Sequence, residues 1–358
     1  MNMQRKPVMK DPRTKRARPA MAGTKTINLA LQGGGAHGAF AWGVLDRLLE
    51  DERVAFEGVS ATSAGAMNAS VLAYGLTEGG REGAKRALEN FWRRVSLSAA
   101  FSPLQPTFLD RLTHNHALEA SPTFIAFDLL TRLFSPYELN PFNHNPLRRV
   151  VEESIDFERI RKDCALELFV CATNVRSGKV KIFRNEEMTA DAVLASGCLP
   201  FLFQAVEIGG EHYWDGGYMG NPVIYPIIYN CRSSDVVVVH INPIERDEVP
   251  KTAREIVSRM NEISFNSSLM REMRAIAFVT KLIDDGAVRE GSMKRMLVHA
   301  IEADDFMRGL GVASKLNADW EFLTHLRETG RASAQTWLDT NFERLGREST
   351  IDIRATYL

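Results

Sequence analysis

The stretch Ile27-Asn28-Leu29-Ala30-Leu31-Gln32-Gly33-Gly34-Gly35-Ala36-His37-Gly38 decides the fold of this chain. Residues 27–31 are mostly apolar and predict a buried β-strand that runs directly into the glycines. Apolar residues at helical spacing follow the glycines, namely Phe40, Val44, Leu45, Leu48 and Leu49. A strand, a glycine loop and a helix in immediate succession predict an α/β domain.

Three further apolar segments predict more strands of the same sheet. Residues 58–61 predict a strand that leads to Ser63, and the small residues behind Ser63 allow the next helix to pack closely on the sheet. Residues 166–172 and 235–241 are rich in β-branched side chains and predict buried strands. Strands alternating with helices predict a mostly parallel sheet with helices on both faces.

Two short motifs 152 residues apart, counted from Ser63 to Asp215, predict nucleophilic chemistry. Thr62-Ser63-Ala64-Gly65 is built like a nucleophile elbow, in which a serine lies on the tight turn between a strand and a helix. The usual elbow has glycine where this chain has Ala61, and alanine fits if that position does not require a positive φ. Asp215-Gly216-Gly217 offers a carboxylate in a glycine turn. We therefore hypothesise that Ser63 attacks and Asp215 takes its proton.

The glycine loop allows two interpretations. Residues 33–38 match G-x-G-x-x-G between a strand and a helix, which is also the dinucleotide-binding pattern. That pattern needs an acidic residue closing the second strand, but Glu57 precedes the end of this strand and Ser63 follows it. Consecutive glycines also let backbone N–H groups point at a developing oxyanion. The neighbouring serine favours the oxyanion hole over a nicotinamide site.

Four motifs together resemble those of a known family. They are the glycine loop, T-S-A-G-A from Thr62, A-S-x-x-x-P-x-x-F from Ala195 to Phe203, and D-G-G from Asp215. In this order and at these distances the chain resembles the patatin-like phospholipases over about residues 27–243. Residues 135–160 and 299–340 resemble a bacterial branch of that family.

The resemblance implies a three-layer α/β/α fold and a Ser-Asp dyad that uses no catalytic histidine, metal or cofactor. It implies Ser63 as nucleophile, Asp215 as general base, and an oxyanion hole formed by the backbone amides of Gly33, Gly34 and Gly35. Glycines that support the motifs are Gly38, Gly65, Gly216 and Gly217.

Two features near the implied dyad lead to expectations about charge. Many family members carry Arg or Lys where this chain has His37, so charge stabilisation near the hole would depend on protonation of His37. Burial of Asp215 beside its aromatic neighbours Tyr213, Trp214 and Tyr218 is expected to raise the pKa of that carboxyl.

The predicted organisation has three parts. Residues 1–25 form a basic tail, with eight Lys/Arg and one acid, expected to be disordered or to contact anionic lipid. Residues 26–243 form the catalytic domain, in which the Phe- and Pro-rich stretch 99–146 is expected to be a cap-like insert over the site or an acyl-chain pocket, the alternative being an extension of the core. Residues 244–358 are expected to be a helical region packed on that domain. Within it, Thr252 and Glu255 predict a capping box, and a helix near residues 319–329 is expected to end at Gly330.

Composition narrows the class of protein. No stretch of the 358 residues approaches a transmembrane span, and the four cysteines show no disulfide or C-x-x-C framework. A cytoplasmic protein, peripheral to membranes at most, is expected. Nothing indicates nucleic-acid binding, and His114, His116 and His144 lack the further ligands of a metal site.

The expected activity is hydrolysis of a lipid ester. One alternative is a catalytically weak protein that holds a lipid or regulates a partner with the same pocket. Another is an esterase for short water-soluble esters. The acyl length, headgroup, physiological substrate and oligomeric state stay open.

Overall fold

The computed structural model of the protein describes residues 23–99, 126, 129–131, 133–289, 291–311 and 313–358. The predictions for residues 1–22 of the basic tail and for most of the cap-like insert fall on residues outside these ranges, whereas Lys25, predicted to end the tail, begins the first strand. His114 and His116 also lie outside them.

A single eight-stranded sheet organises the described residues. The strand order is β5-β6-β3-β2-β1-β7-β8, and β4 also pairs with β3. Pairing is parallel from β3 through β2, β1 and β7 to β8, and antiparallel where β4, β5 and β6 join. The strands are β1 Lys25–Leu31, β2 Val54–Thr62, β3 Glu167–Asn174, β4 Val180–Arg184, β5 Val206–Ile208, β6 Glu211–Asp215, β7 Asp235–Val239 and β8 Leu297–Ile301. The predicted mostly parallel sheet is confirmed.

Helices connect the strands and cover the sheet. They are α1 Gly38–Glu50, α2 Ala64–Ala99, α3 Pro136–Leu139, α4 Pro146–Ser154, α5 Phe157–Asp163, α6 Ala190–Ser196, α7 Tyr225–Asn230, α8 Ala253–Asp284, α9 Asp304–Arg308, α10 Trp320–Asn341 and α11 Ile353–Tyr357. Short 3-10 turns occur at Gly35–His37, Gly216–Tyr218 and Ala313–Leu316. Helix α2 is interrupted at Gly79 and Gly80, whose φ/ψ angles are not helical.

The two faces of the sheet bury different sets of side chains, because successive residues of a strand point to opposite faces. In β1, Leu29 and Leu31 pack in a core with α1, α2 and α10, whereas Ala30 packs in a second core with α7, α8 and α11. Helices on both faces of a central sheet make the predicted three-layer α/β/α fold.

The region after residue 243 is not wholly helical. Thr252 and Glu255 form the predicted capping box at the start of α8. The expectation of helix alone is wrong for β8, whose five residues pair in parallel with β7. Its apolar side chains Val298 and Ile301 are buried, so this segment completes the sheet.

The predicted end of a helix at Gly330 is also wrong, because α10 continues through this residue to Asn341. Gly330 lies against α1, where an added Cβ atom would come within 2.1 Å of the Phe40 carbonyl oxygen. On the facing helix, a Cβ at Gly43 would lie 1.9 Å from the Arg327 carbonyl oxygen. The glycine therefore permits close helix packing and does not cap the helix.

Gly330→Ala is expected to destabilise the protein by about 1 to 3 kcal/mol, although alanine is the better helix former, because the added methyl would force α1 and α10 apart. The urea midpoint of unfolding measures this change. Gly309→Ala is the matched control, since its Cβ would approach no closer than 3.4 Å to Phe306 O. A midpoint for Gly330→Ala at or above that of the wild type would contradict the packing role.

The parallel strands bring three connections to one edge of the sheet. β1 lies between β2 and β7, so the glycine loop after β1 is flanked by Ser63 after β2 and by the segment 240–242 after β7. Ligand and catalytic sites of parallel α/β sheets form at the carboxyl ends of such strands.

Candidate active site

Ser63 lies on a strained turn between β2 and α2. Its φ is 55°, a left-handed conformation that is uncommon outside glycine. Two hydrogen bonds hold the turn: the Ser63 amide donates to Ser196 Oγ at 2.9 Å, and the Ser196 hydroxyl donates to the Cys171 carbonyl at 2.6 Å. The turn therefore depends on α6 and β3 as well as on its own sequence.

The departure from the elbow pattern at Ala61 has a simple explanation. Ala61 is a buried β2 residue that pairs with Leu31 in β1 and Val170 in β3, and its φ is not positive. Gly65 does need the absence of a side chain, because a Cβ there would lie 2.5 Å from the Leu31 carbonyl oxygen. Alanine is thus compatible with the turn at position 61.

Asp215 reaches Ser63 through the register of β3. Thr62 at the end of β2 pairs with Cys171, and the next β3 residue, Ala172, pairs with Asp215 at the end of β6. The Thr173 hydroxyl donates to the Asp215 carbonyl at 2.8 Å and holds the end of β6 in place. Sheet pairing thus brings together two residues that are far apart in the sequence.

The Asp215 carboxyl is buried and hydrogen-bonded. It is 1% exposed, and its Oδ1 accepts the Gly217 amide at 2.7 Å. The Ser63 side chain lies close enough to this carboxyl to lower its pKa. Burial raises the pKa of Asp215 to about 6, although the hydrogen bonds from Gly217 and Ser63 and the charge of Lys315 act in the opposite direction. The expectation of a raised pKa is confirmed.

The three loop glycines differ in what their amides do. The Gly33 amide donates to Asn221 Oδ1 at 2.6 Å, so it is already engaged within the protein. Among the residues that the structure describes, the amides of Gly34 and Gly35 donate to no protein acceptor. Gly35 has φ +59°, and a Cβ there would lie 2.3 Å from the Lys315 carbonyl oxygen. Of the three amides predicted to form an oxyanion hole, that of Gly33 is engaged within the protein, and the oxyanion hole itself stays a prediction.

The other motif glycines allow close contacts around Ser63 and Asp215. A Cβ at Gly33 would lie 2.5 Å from the Ser63 Cβ, and one at Gly38 would lie 2.7 Å from the Ala64 Cβ. A Cβ at Gly216 would lie 2.2 Å from the Cys171 carbonyl oxygen. The glycine loop therefore packs directly on the elbow.

Glu57 does not occupy the position that a nucleotide site requires. Its carboxylate accepts the amides of Arg232 at 2.9 Å and Ser233 at 2.7 Å, in the connection that leads into β7. These contacts are at the beginning of the parallel strands, away from the edge that carries Ser63. The dinucleotide alternative lacks its ribose-binding carboxylate at the glycine loop.

His37 is a buried, neutral residue of the loop. Its Nε2 lies 2.8 Å from Ser314 Oγ, whose hydroxyl donates to the Gly311 carbonyl at 2.6 Å. The His37 Nε2–H is therefore the donor to Ser314. Burial, followed by the charges of Lys315 and Arg246, lowers the pKa of His37 well below its ordinary value. His37 therefore supplies no positive charge near neutral pH.

Four residues around Ser63 and Asp215 received no role from the sequence. Ser196 lies inside the A-S-x-x-x-P-x-x-F motif, and Asn221 lies in Gly220-Asn221-Pro222 shortly after D-G-G, so motif spacing could have pointed to both. Asn242 and Lys315 carry no local signal and reach the loop only through the fold. The four free cysteines are all buried, and burial raises the pKa of the Cys171 thiol next to the site.

No group of three or more His, Cys, Asp or Glu residues able to hold a metal ion occurs in the described part of the chain. His144, in the turn before α4, is exposed and its amide donates to Asn140 Oδ1 at 2.9 Å. The arrangement at Ser63 instead provides a hydroxyl, a buried acceptor for its proton and two free amides. These are the elements needed for acyl transfer through a tetrahedral intermediate.

One known protein family matches the part of the chain that carries these motifs. A family model described as patatin-like phospholipase matches residues 29–227, a range that includes the glycine loop, Ser63 and Asp215. A search of curated proteins found no significant match.

Solved structures of low sequence identity resemble the chain. VipD from Legionella pneumophila is 16% identical, with 88% of this chain and 67% of that chain covered and a TM-score of 0.44. The type III effector protein ExoU is 14% identical, with 88% and 53% covered and a TM-score of 0.33. The chain thus spans about half the length of that ExoU chain. The complex of SpcU with ExoU from Pseudomonas aeruginosa gives 17% identity, 94% and 77% coverage and a TM-score of 0.28.

Proposed function

The chain belongs to the patatin-like phospholipase family and is a lipid ester hydrolase, and from this premise we propose that Ser63 and Asp215 form its catalytic dyad. The observation that supports the proposal is that the register of β2, β3 and β6 brings Ser63 next to the buried Asp215 carboxyl, whose pKa burial raises to about 6. A carboxylate with this pKa is a better base than an ordinary aspartate and is still ionised at neutral pH.

Acylation begins when Ser63 Oγ attacks the ester carbonyl carbon and Asp215 takes the hydroxyl proton. The carbonyl oxygen becomes an oxyanion, which the Gly34 and Gly35 amides are placed to bind. Preorganised donors of this kind each contribute on the order of 3 kcal/mol to lowering the barrier. The intermediate then collapses, the bond to the alcohol oxygen breaks, and Asp215 returns the proton to the leaving alcohol or lysolipid.

In deacylation, water is the nucleophile and Ser63 Oγ is the leaving group. A water molecule loses its proton to Asp215 and attacks the carbonyl carbon of the Ser63 ester. The second tetrahedral intermediate uses the same two amides, and its collapse releases the fatty acid while Ser63 Oγ regains a proton from Asp215. The cycle is balanced with one water consumed for each ester bond broken.

Exposed apolar side chains close to the site favour a lipid substrate over a short water-soluble ester. A Cβ at Gly197 would lie 3.7 Å from Ser63 Oγ, and the segment that follows carries Phe201, which is 66% exposed. Gln204 Nε2 donates to the Asn140 carbonyl at 2.9 Å, which places this segment beside Phe142, 93% exposed. A contiguous exposed apolar surface is typical of sites that meet membranes or apolar ligands.

Contact with a membrane is part of the proposal. None of the described helices is both long and apolar enough to cross a bilayer. The basic tail, of which residues 1–22 lie outside the described residues, would bind anionic headgroups at roughly 1 kcal/mol per Lys or Arg.

The decisive experiment is mass spectrometry of the acyl-enzyme. Purified protein is mixed with a whole-cell lipid extract, quenched in acid and digested, and the acyl group is expected on the peptide that carries Ser63. Parallel reactions with a phospholipid and with a short-chain water-soluble ester distinguish the two substrate classes. An acyl group on a different residue, or lipid extraction without release of fatty acid, would contradict the proposal.

The rate of hydrolysis is expected to depend on pH through Asp215. The base acts only when deprotonated, so kcat/KM should rise with pH, reach a plateau above about pH 7, and fall about tenfold for each pH unit below about 6. His37 adds no second transition near neutral pH because burial lowers its pKa well below 6.5. Initial rates of fatty acid release at pH values from about 4 to about 9 provide the measurement, and a plateau that persists to about pH 4 is inconsistent with Asp215 as base.

A further inference from the structure

Lys315 lies beside the glycine loop although it comes from the 3-10 turn Ala313–Leu316, close to the C-terminal helices. Its carbonyl oxygen packs against Gly35, where a Cβ would approach to 2.3 Å. Lys315 is only partly exposed, and its ammonium nitrogen donates to Asn242 Oδ1 at 2.8 Å. A cation is thus held behind the loop rather than extended into solvent.

Asn242 connects this cation to the loop backbone. The Nδ2 of Asn242 donates to the Gly33 carbonyl at 2.7 Å, while its Oδ1 accepts from Lys315. The same residue is fixed by Gln32, whose Oε1 accepts the Asn242 backbone amide at 3.0 Å. Asn242 therefore has one orientation in which both ends of its carboxamide are used.

The Gly33 carbonyl belongs to the same peptide group as the Gly34 N–H. When a carbonyl oxygen accepts a strong hydrogen bond, the peptide is polarised and its N–H becomes a better donor, and such chains of hydrogen bonds strengthen one another. Electron density is drawn from Gly34 N–H through the Gly33 carbonyl and the Asn242 carboxamide toward the Lys315 ammonium. The Asn221 side chain holds the loop from the other side by accepting the Gly33 amide at 2.6 Å.

We propose that Lys315 is a positioning residue for ester hydrolysis, which acts through Asn242 to orient and polarise the Gly33–Gly34 peptide and so strengthens the Gly34 amide as an oxyanion donor. The inference rests on the proposed function, because the strength of the Gly34 amide as a donor matters only if an oxyanion forms at the glycine loop.

Three charged groups on other elements act on Lys315. Asp215 at the end of β6 and Glu262 in α8 favour its charged form, whereas Arg246, in the connection before α8, opposes it. Glu262 is paired with Arg246 at 2.6 Å, and His37 on the loop is neutral. Burial lowers the pKa of Lys315 from its ordinary value, and the charge of Lys315 in turn lowers the pKa of Asp215.

The test compares Lys315→Met, Lys315→Arg and the exposed control Lys281→Met in the full chain, with a phospholipid substrate. Lys315→Met is expected to lower kcat about tenfold with KM within about twofold, because it weakens one donor without removing it. The acid limb of its pH profile, where kcat/KM falls with decreasing pH, should also move to higher pH, because the charge that lowers the pKa of Asp215 is lost. Lys315→Arg should recover most of kcat, and Lys281→Met should match the wild type.

A double-mutant cycle tests the route through Asn242. If Lys315 acts through this residue, then Lys315→Met introduced into Asn242→Leu should change kcat by less than about twofold, whereas independent effects would multiply. Urea midpoints are measured for every variant, so that a loss of folding is separated from a loss of activity.

The outcomes are distinct. Wild-type kcat and an unmoved acid limb in Lys315→Met overturn the inference while leaving the dyad intact. Equal losses in Lys315→Met and Lys315→Arg with an unmoved acid limb also overturn it, because packing alone would then explain them. Absence of ester hydrolysis by the wild type, or full activity of Ser63→Ala, overturns the proposed function and the inference with it.

Discussion

Ser63→Ala is expected to lower kcat for ester hydrolysis by at least about 10⁴-fold, because it removes the nucleophile and no other hydroxyl occupies its place. The variant should still fold. Alanine at φ 55° is as strained as serine, and the lost hydrogen bond to Asp215 costs on the order of 1 kcal/mol. The Ser63 amide keeps its bond to Ser196, so the turn is retained.

Fatty acid release from phospholipid and labelling by a fluorophosphonate probe measure this effect independently. The probe should label wild type at Ser63 and leave Ser63→Ala unlabelled. Ser292→Ala is the matched control, because Ser292 is an exposed serine that bonds only to the nearby Arg289 carbonyl. Wild-type turnover in purified Ser63→Ala would require a different nucleophile and would refute the dyad.

Asp215→Asn is expected to lower kcat by about 10³- to 10⁴-fold, since a carboxamide of the same shape cannot accept the proton of Ser63 or of the deacylating water. The geometry should survive. The side-chain oxygen of the introduced asparagine can accept the Gly217 amide as the carboxyl does now, and its nitrogen can donate to Ser63 Oγ.

The same substitution is expected to stabilise the folded protein at high pH. The pKa of Asp215 rises from its ordinary value of 3.8 to about 6 on folding, so the folded state favours the neutral carboxyl. The contribution to stability is fully present below pH 3.8 and is lost as the pH rises through about 6, at a cost of about 3 kcal/mol. Asparagine does not ionise, so Asp215→Asn avoids this cost.

Urea unfolding of Asp215→Asn and wild type at about pH 8 and at about pH 4 tests the stability change. The variant should be more stable by up to about 3 kcal/mol at the higher pH, and the difference should shrink toward zero at the lower pH. Asp247→Asn, at an exposed position, is the control and should change neither activity nor midpoint. A variant that is active, or that is less stable than wild type at about pH 8, would remove Asp215 from the role of buried base.

The motifs predicted from the sequence lie close together for reasons that local chemistry explains. Apolar strands ending in glycines or in Ser63 predict a parallel α/β sheet, and parallel strands present their carboxyl ends at one edge. The departure at Ala61 also follows local rules, since a strand residue needs no positive φ. The prediction at Gly330 was wrong because a glycine near the end of a helical pattern resembles a C-cap, whereas its real constraint is the backbone of Phe40 in another helix.

What the sequence by itself determined is the family, the layered fold and the pair of candidate residues, because these depend on hydrophobic periodicity and on contiguous motifs. Only the tertiary structure decided how the glycine loop is used. Gly33 is bonded by Asn221, 188 residues away, and by Asn242, 209 residues away, and Asn242 is bonded by Lys315, another 73 residues on. Such contacts leave no period or spacing in the chain. They arise because three connections and a C-terminal turn meet at one edge of the sheet, where distance in space no longer follows distance in sequence.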